Sequence, residues 1–309
     1  MTRFLLKKAV ILLFSLFVVA SLTFFLMQAI PGDPFVQEKA VPEEILRAMY
    51  KHYGLDQPWY TQYGRYLKGL ITCDLGPSFK YQGRTVNEII LEGFPVSMLL
   101  GFEALLLSIS FGIGLGAIAS LNHQKWQDHL MMAFAVIGIS VPSFLLATFL
   151  QYLLAMKLDF LPVARWGTFS HTILPALSLA ALPTAFIARL TRTTMVEVIQ
   201  QDYIQTARSK GLNSMQILLR HALRNALLPV ITYLGPLATA IFTGSFAVEK
   251  IFGIPGLGQW FVMSITNRDY TVIMGTTVFY SALLMLCVFI VDIAYCFVDP
   301  RIRLIDIKK

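Results

Sequence analysis

Six long apolar stretches constrain this chain more than any other feature of its sequence. Residues 9–30, 130–156, 172–188 and 225–248 contain no charged side chain, 96–121 contains only Glu103, and 270–298 contains only Asp292. About 20 apolar residues suffice to cross a bilayer as a helix, and only helices or closed barrels satisfy their backbone groups there. The pattern predicts an all-α polytopic membrane protein with six transmembrane helices. Hydrophobic residues make up 56% of the chain against 14% charged, and the mean hydropathy is +0.64. Soluble enzymes, disordered chains and disulfide scaffolds are excluded by that balance. Cys287 and Cys296 are nine residues apart, on opposite faces of a helix; with Cys73 they give no disulfide framework and no cysteine metal site. The net charge of +7 is spread over the loops, which argues against a nucleic-acid face.

The first stretch follows Arg3, Lys7 and Lys8. Its apolar run exceeds that of a signal peptide, and Ile30-Pro31-Gly32 offers no cleavage site, so it reads as an uncleaved anchor. Positive charge in short loops sets orientation. With the N-terminus inside, the inner segments carry Arg3, Lys7, Lys8, Lys125, Arg189, Arg192, Arg208, Lys210, Arg220, Arg224, Arg301, Arg303, Lys308 and Lys309; the short outer loops carry Lys157, Arg165, Lys250 and Arg268. Both termini are therefore expected in the cytoplasm. Three parts follow: 1–30, the tail and first helix; 31–95, an outer loop or subdomain; and 96–309, a five-helix core with a long inner loop at 189–224. The outer loop is long for a structureless connection. Pro42-Glu43-Glu44 reads as a helix start and Gly76-Pro77-Ser78 as a turn.

In the inner loop, Met195, Val198, Ile199, Tyr203, Ile204 and Ala207 form one apolar stripe at helical spacing. Glu197, Gln200, Gln201 and Asp202 fall mainly on the other side. Gly211 suits the C′ position, and Asn213 or Ser214 can cap a second short helix near Met215. Helix, glycine elbow and helix make a compact knob.

The residues Asp202-Tyr203-Ile204-Gln205-Thr206-Ala207-Arg208-Ser209-Lys210-Gly211-Leu212, followed by Arg220-His221-Ala222-Leu223-Arg224-Asn225-Ala226-Leu227-Leu228-Pro229, resemble the EAA loop of binding-protein-dependent ABC importer permeases. The branch resembled is the dipeptide, oligopeptide and nickel one. Gln205-Thr206-Ala207 stands where the wider superfamily has Glu-Ala-Ala, and Leu-Pro comes at Leu228-Pro229, later than the general motif places it. Pro31-Gly32-Asp33-Pro34, Gly76-Pro77-Ser78-Phe79-Lys80-Tyr81, Gly253-Ile254-Pro255-Gly256-Leu257-Gly258, Asn267-Arg268-Asp269-Tyr270 and Asp299-Pro300-Arg301-Ile302-Arg303 match family features in order, the second most like the oligopeptide permease B subunit.

The resemblance implies the transmembrane domain of a type I ABC importer in the bacterial cytoplasmic (inner) membrane, a non-catalytic subunit on the path of oligopeptide uptake. Dipeptides and nickel chelates are the alternative cargoes. It implies a homologous second permease, two ABC ATPase subunits that carry ATP and Mg, and an extracytoplasmic peptide-binding protein, besides membrane lipid. No cofactor is expected on this chain, which has no G-x-x-x-x-G-K-[ST]. Gln205, Thr206, Ala207, Arg208, Lys210, Gly211 and Leu212 are the expected ATPase-coupling residues.

Other features read more plainly. Gly112, Gly114 and Ala117 spell G-x-G-x-x-A inside an apolar span, where Gly112 and Gly116 instead give a small-residue face for close packing. Gly253 to Gly258 lacks a lysine and reads as a turn. Glu103 and Asp292 are expensive inside a bilayer, about 2.5–3.5 kcal/mol each on insertion scales, so each should face protein or water. Asp292, near the inner end of its helix, is expected to be structural, paired with an arginine such as Arg189 or Arg192; Glu103 is a candidate for the outer pathway. An ion-coupled secondary transporter would use these two acids but should show an internal repeat, and none is evident. An intramembrane protease would need a Ser/His or Asp/Asp pair within the spans, and none is there. His52, His123, His129, His171 and His221 are scattered, with no metal-ligand spacing. Pro142, Pro175, Pro183, Pro229 and Pro236 are expected to break helical bonding in four spans.

Overall fold

The computed structural model describes residues 2–31, 35 and 43–298. Its elements run α1 (Thr2–Ala29), α2 (Glu43–Tyr53), α3 (Trp59–Thr72), α4 (Val86–Leu121), α5 (Trp126–Ser140) and α6 (Ser143–Leu150), which continues as a π-helical turn at Gln151–Lys157. Then come α7 (Phe169–Ile199), α8 (Asp202–Ser209), α9 (Ser214–Ile217), a π-helical turn at Leu218–Ala222, α10 (Leu223–Ala226), α11 (Leu228–Phe242), α12 (Phe246–Phe252), α13 (Leu257–Asn267) and α14 (Tyr270–Val298). Pro31-Gly32-Asp33-Pro34 beyond Pro31, Pro42 and Asp299-Pro300-Arg301-Ile302-Arg303 lie outside the described residues.

Among the described residues, Leu6–Ala29, Val86–Leu121, Phe169–Ile199, Leu223–Phe242 and Tyr270–Ile293 are each long and apolar enough to cross a membrane. The third stretch, 130–156, differs from the expected single span. It is a pair, Trp126–Ser140 and Ser143–Lys157, bent by 105°. Pro142 causes the break: its ring pushes the preceding Val141 into extended backbone (φ −89°, ψ 119°) and it becomes the N-cap of α6. Pro175, Pro183 and Pro236 are instead carried inside α7 and α11, and Pro229 sits in the first turn of α11, where a missing N–H costs nothing. The fifth stretch also ends earlier than its apolar run: α11 stops at Phe242, Gly244 turns the chain at φ +80°, and α12 begins.

The described residues divide into two compact units, those of 1–95 with 256–285 and those of 96–255 with 286–309. In the first, α3 lies along the later part of α1. The Tyr63 hydroxyl is 2.7 Å from Ser21 Oγ, the Phe24 ring packs on Tyr63 and Tyr66, and Phe25 packs on Trp59. Burial, reinforced by the neighbouring Tyr63, pushes the Tyr66 phenol above its ordinary range. Val86, Ile89, Ile90, Leu257 and Val272 form this unit's core.

The second unit is built on α7, the most enclosed helix. Leu100, Ala104, Leu174, Ile187, Val230, Leu237, Val248 and Phe252 belong to one buried cluster. Gly112 and Gly116 of α4 face α7 as expected: a Cβ on Gly116 would sit 2.5 Å from the Ala188 carbonyl oxygen, and one on Gly112 2.7 Å from Ile187 Cβ. Gly114 faces open space. Opposite, α5 runs antiparallel to α7, with Asp128 against Arg192 and Gly138 against Ala185.

Candidate functional site

The first of the two helices expected in the inner-loop knob is itself split in two. The expected apolar stripe is interrupted at Gln200 and Gln201: α7 ends at Ile199, Gln201 is extended (φ −72°, ψ 149°), and α8 starts at Asp202. The turn lets the stripe fold on itself. Ile204 and Ala207 of α8 bury with Ile217 and Ala222, and Val198, Ile199 and Leu212 pack around them. Asp202 in the first turn and Arg208 in the last complement the helix dipole.

Gly211 ends the helix at φ +79°, its N–H donating to the Arg208 carbonyl at 2.9 Å. A Cβ there would meet nothing within 4 Å. The glycine is therefore required by backbone conformation, not by crowding. Asn213 is the cap of the next helix: the Gln216 N–H donates to Asn213 Oδ1 at 2.8 Å and the Asn213 N–H to Gln216 Oε1 at 3.1 Å, a reciprocal capping box.

This geometry divides the expected coupling residues. Gln205, Thr206, Arg208, Lys210 and Gly211 are exposed. Ala207 is only 5% exposed and Leu212 is half-buried against the same small core. Ala207 therefore faces inward and supports the knob; the available surface is the polar and basic rim from Gln205 to Gly211.

Around the knob, polar contacts tie neighbouring helices together. Asn225 Nδ2 donates to the Tyr203 hydroxyl at 2.8 Å, and Thr194 Oγ1 to the Ala226 carbonyl at 3.0 Å, joining α10 to α8 and α7. Arg192 donates through Nε (2.5 Å) and Nη2 (2.7 Å) to Asp128, which is 1% exposed and also accepts from the Gln124 N–H. Such a bidentate pair fixes orientation as well as charge. Arg192 is thus held by Asp128 across α5 and α7. Asp292 is half-buried toward the end of α14. Glu103 is half-buried in α4, and no hydrogen bond or ion pair engages it among the described residues.

Besides Asp128, two buried acids were given no role of their own by the sequence. Asp269 is fully buried and precedes α14 as its N-cap. It accepts from the Ser78 hydroxyl, the Phe79 N–H (3.2 Å), the Lys80 N–H (3.3 Å), the Thr271 hydroxyl (2.9 Å) and the Val272 N–H (3.3 Å). Two motifs read separately, 76–81 and 267–270, are thereby one site, with Asn267 Nδ2 donating to the Tyr81 hydroxyl at 3.1 Å. An Asp before Tyr270-Thr271 was legible as a cap; its partners, about 190 residues away, were not. Glu249 is also fully buried and accepts from Ser97 Oγ at 2.8 Å. It lies one residue beyond the stretch read as the fifth span.

The comparisons with known proteins agree with this architecture. Residues 112–304 match the family model of the binding-protein-dependent transport system inner membrane component, and residues 1–101 match its N-terminal model. The chain is 49% identical over 304 residues to a dipeptide transport system permease protein, DppB, of Bacillus subtilis, covering 98% of this chain and 99% of that one. It is 42% identical over 305 residues to an oligopeptide transport system permease protein, OppB, of Haemophilus influenzae, covering 98% and 100%. A chain of the methionine ABC transporter MetNI, solved in inward-facing conformations, aligns at a TM-score of 0.57 and 18% identity, over 68% of this chain and 96% of that one. The helices thus have the fold of a type I ABC importer transmembrane domain. With its multi-pass architecture and full-length match to these permeases, the chain belongs to the family of inner membrane components of binding-protein-dependent transport systems.

Proposed function

We propose that the chain is one of two permease subunits forming the pathway for peptide uptake in an ABC importer, with ATP hydrolysed on two separate ATPase subunits. Full-length similarity to both dipeptide and oligopeptide permeases supports peptide as the cargo class; peptide length is left to an extracytoplasmic binding protein, which delivers to the outer part of the chain, residues 31–95. The basic residues of the inner loops support an orientation with both termini in the cytoplasm.

The observation that carries the coupling role is the exposed rim from Gln205 to Gly211 on a knob whose core is shared with α7. An ATPase groove that grips Arg208 and Lys210 pushes on Ile204 and Ala207, and these bear on Val198, Ile199, Ile217 and Ala222. Tyr203–Asn225, Thr194–Ala226 and Arg192–Asp128 pass the displacement to α10 and α5. A rigid-body shift follows if the ATPase contacts differ between its two states. Glu103 lines the outer part of the pathway and Asp292 serves structure within the bilayer.

Deletion of this chain should abolish uptake of labelled di- to pentapeptides, and the wild-type copy should restore it. Gly211→Pro, which removes an N–H and forbids φ +79°, should insert at wild-type levels without restoring uptake. Uptake that survives deletion, or that persists without ATP but stops with Glu103→Gln, would overturn the reading in favour of ion coupling.

A further inference from the structure

We propose that the groove between α5 and the C-terminal part of α7 is a site for the phosphate headgroup of an anionic phospholipid, with Arg189 as its main charge. The groove, about 340 Å3, is lined by His129, Met132 and Val136 of α5 and by Arg189, Arg192 and Thr193 of α7. Asp128 neutralises Arg192. Arg189 is exposed, and no hydrogen bond or ion pair engages it among the described residues. The antiparallel register, Asp128 at Arg192 and Gly138 at Ala185, puts Arg189 about one turn further into the span, level with Met132. A guanidinium at that depth is costly unless an anion or water reaches it.

The surroundings fit a lipid. Trp126, 69% exposed at the start of α5, marks headgroup level, where tryptophan concentrates in membrane proteins. Beyond it, Phe134, Val136 and Ile137 are exposed apolar side chains on the same helix, a surface for an acyl chain. Arg189, His129 and Thr193, all exposed, line the same groove. Basic pockets between spanning helices on the cytoplasmic side take anionic headgroups in this way. The choice of leaflet rests on the orientation proposed above; headgroup binding itself does not.

The test uses the full chain, purified with whatever subunits accompany it and placed in nanodiscs of phosphatidylglycerol and phosphatidylcholine. Native mass spectrometry then counts the lipids retained through stepwise delipidation. Wild type and Lys157→Gln, at the far end of the bent pair, should retain phosphatidylglycerol after phosphatidylcholine is stripped. Arg189→Gln should weaken that retention about fivefold, Arg189→Lys should largely keep it, and both should keep the wild-type thermal midpoint. Equal retention in Arg189→Gln, or of the two lipids in wild type, overturns the proposal. So does a photo-crosslinker at Val136 that captures a protein chain instead of lipid. Absence of ATPase subunits from the preparation would count against the importer reading while leaving the lipid count interpretable.

Discussion

At the scale of single residues, two positions carry much of the account for opposite reasons. Gly211 needs its backbone conformation and nothing else: φ is +79°, and the space where a side chain would go is empty. Gly211→Ala should therefore cost about 1–2 kcal/mol of left-handed strain, while Gly211→Asn, which tolerates that region, should be milder. Uptake at equal membrane abundance is expected to rank Gly, Asn, Ala, Pro. An Ala variant as active as wild type would show that the elbow's conformation is not needed. Asp269 depends on its partners instead. Five donors converge on one buried carboxylate, and leaving buried donors unmet costs about 1–3 kcal/mol each before relaxation. Asp269→Ala should lower stability by on the order of 3 kcal/mol or more and expose residues 73–85 to protease. Unchanged proteolysis and thermal midpoint would remove its stapling role.

At the scale of elements, packing of α4 on α7 is set by absent side chains. Gly116→Val drives a side chain into the Ala188 carbonyl and Thr191, whereas Gly114→Ala enters open space. Overpacking of this kind costs typically about 1–3 kcal/mol, so thermal stability in detergent should fall for Gly116→Val and hold for Gly114→Ala. Equal effects would mean the helices separate freely. The Gly112 and Gly116 face was legible because small residues four apart in an apolar span admit few other uses. The break at Gln200–Gln201 was not: apolar spacing continues straight through it, and the reason to turn is a core with Ile217 and Ala222 that exists only after the chain folds back. Pro142 was visible as a break, yet its 105° bend depends on how α6 packs on α7, which periodicity does not encode.

At the scale of the whole chain, hydropathy alone placed five of the six expected spans and missed the bend in the stretch 130–156, because a bilayer imposes its constraint on composition and length. The knob was legible through local signals, a glycine at C′ and an Asn213 cap. What escaped were pairings between distant segments: Asp128 with Arg192, Glu249 with Ser97, Asp269 with the 78–80 turn. Each joins residues far apart in the sequence whose meeting is decided by how the helices and turns pack. The same limit explains the inward turn of Ala207, which the motif offers as a contact and the fold uses as core. The central claim is that the rim of α8 is where an ATPase docks. It is tested most directly by placing a photo-crosslinking residue at Lys210 in the full chain, illuminating native membranes, and identifying what is captured. The account predicts a P-loop ATPase subunit, captured at Lys210 and not from a control position at Lys157. Capture of lipid alone at Lys210, in membranes where other ABC importers crosslink to their ATPases, would contradict it.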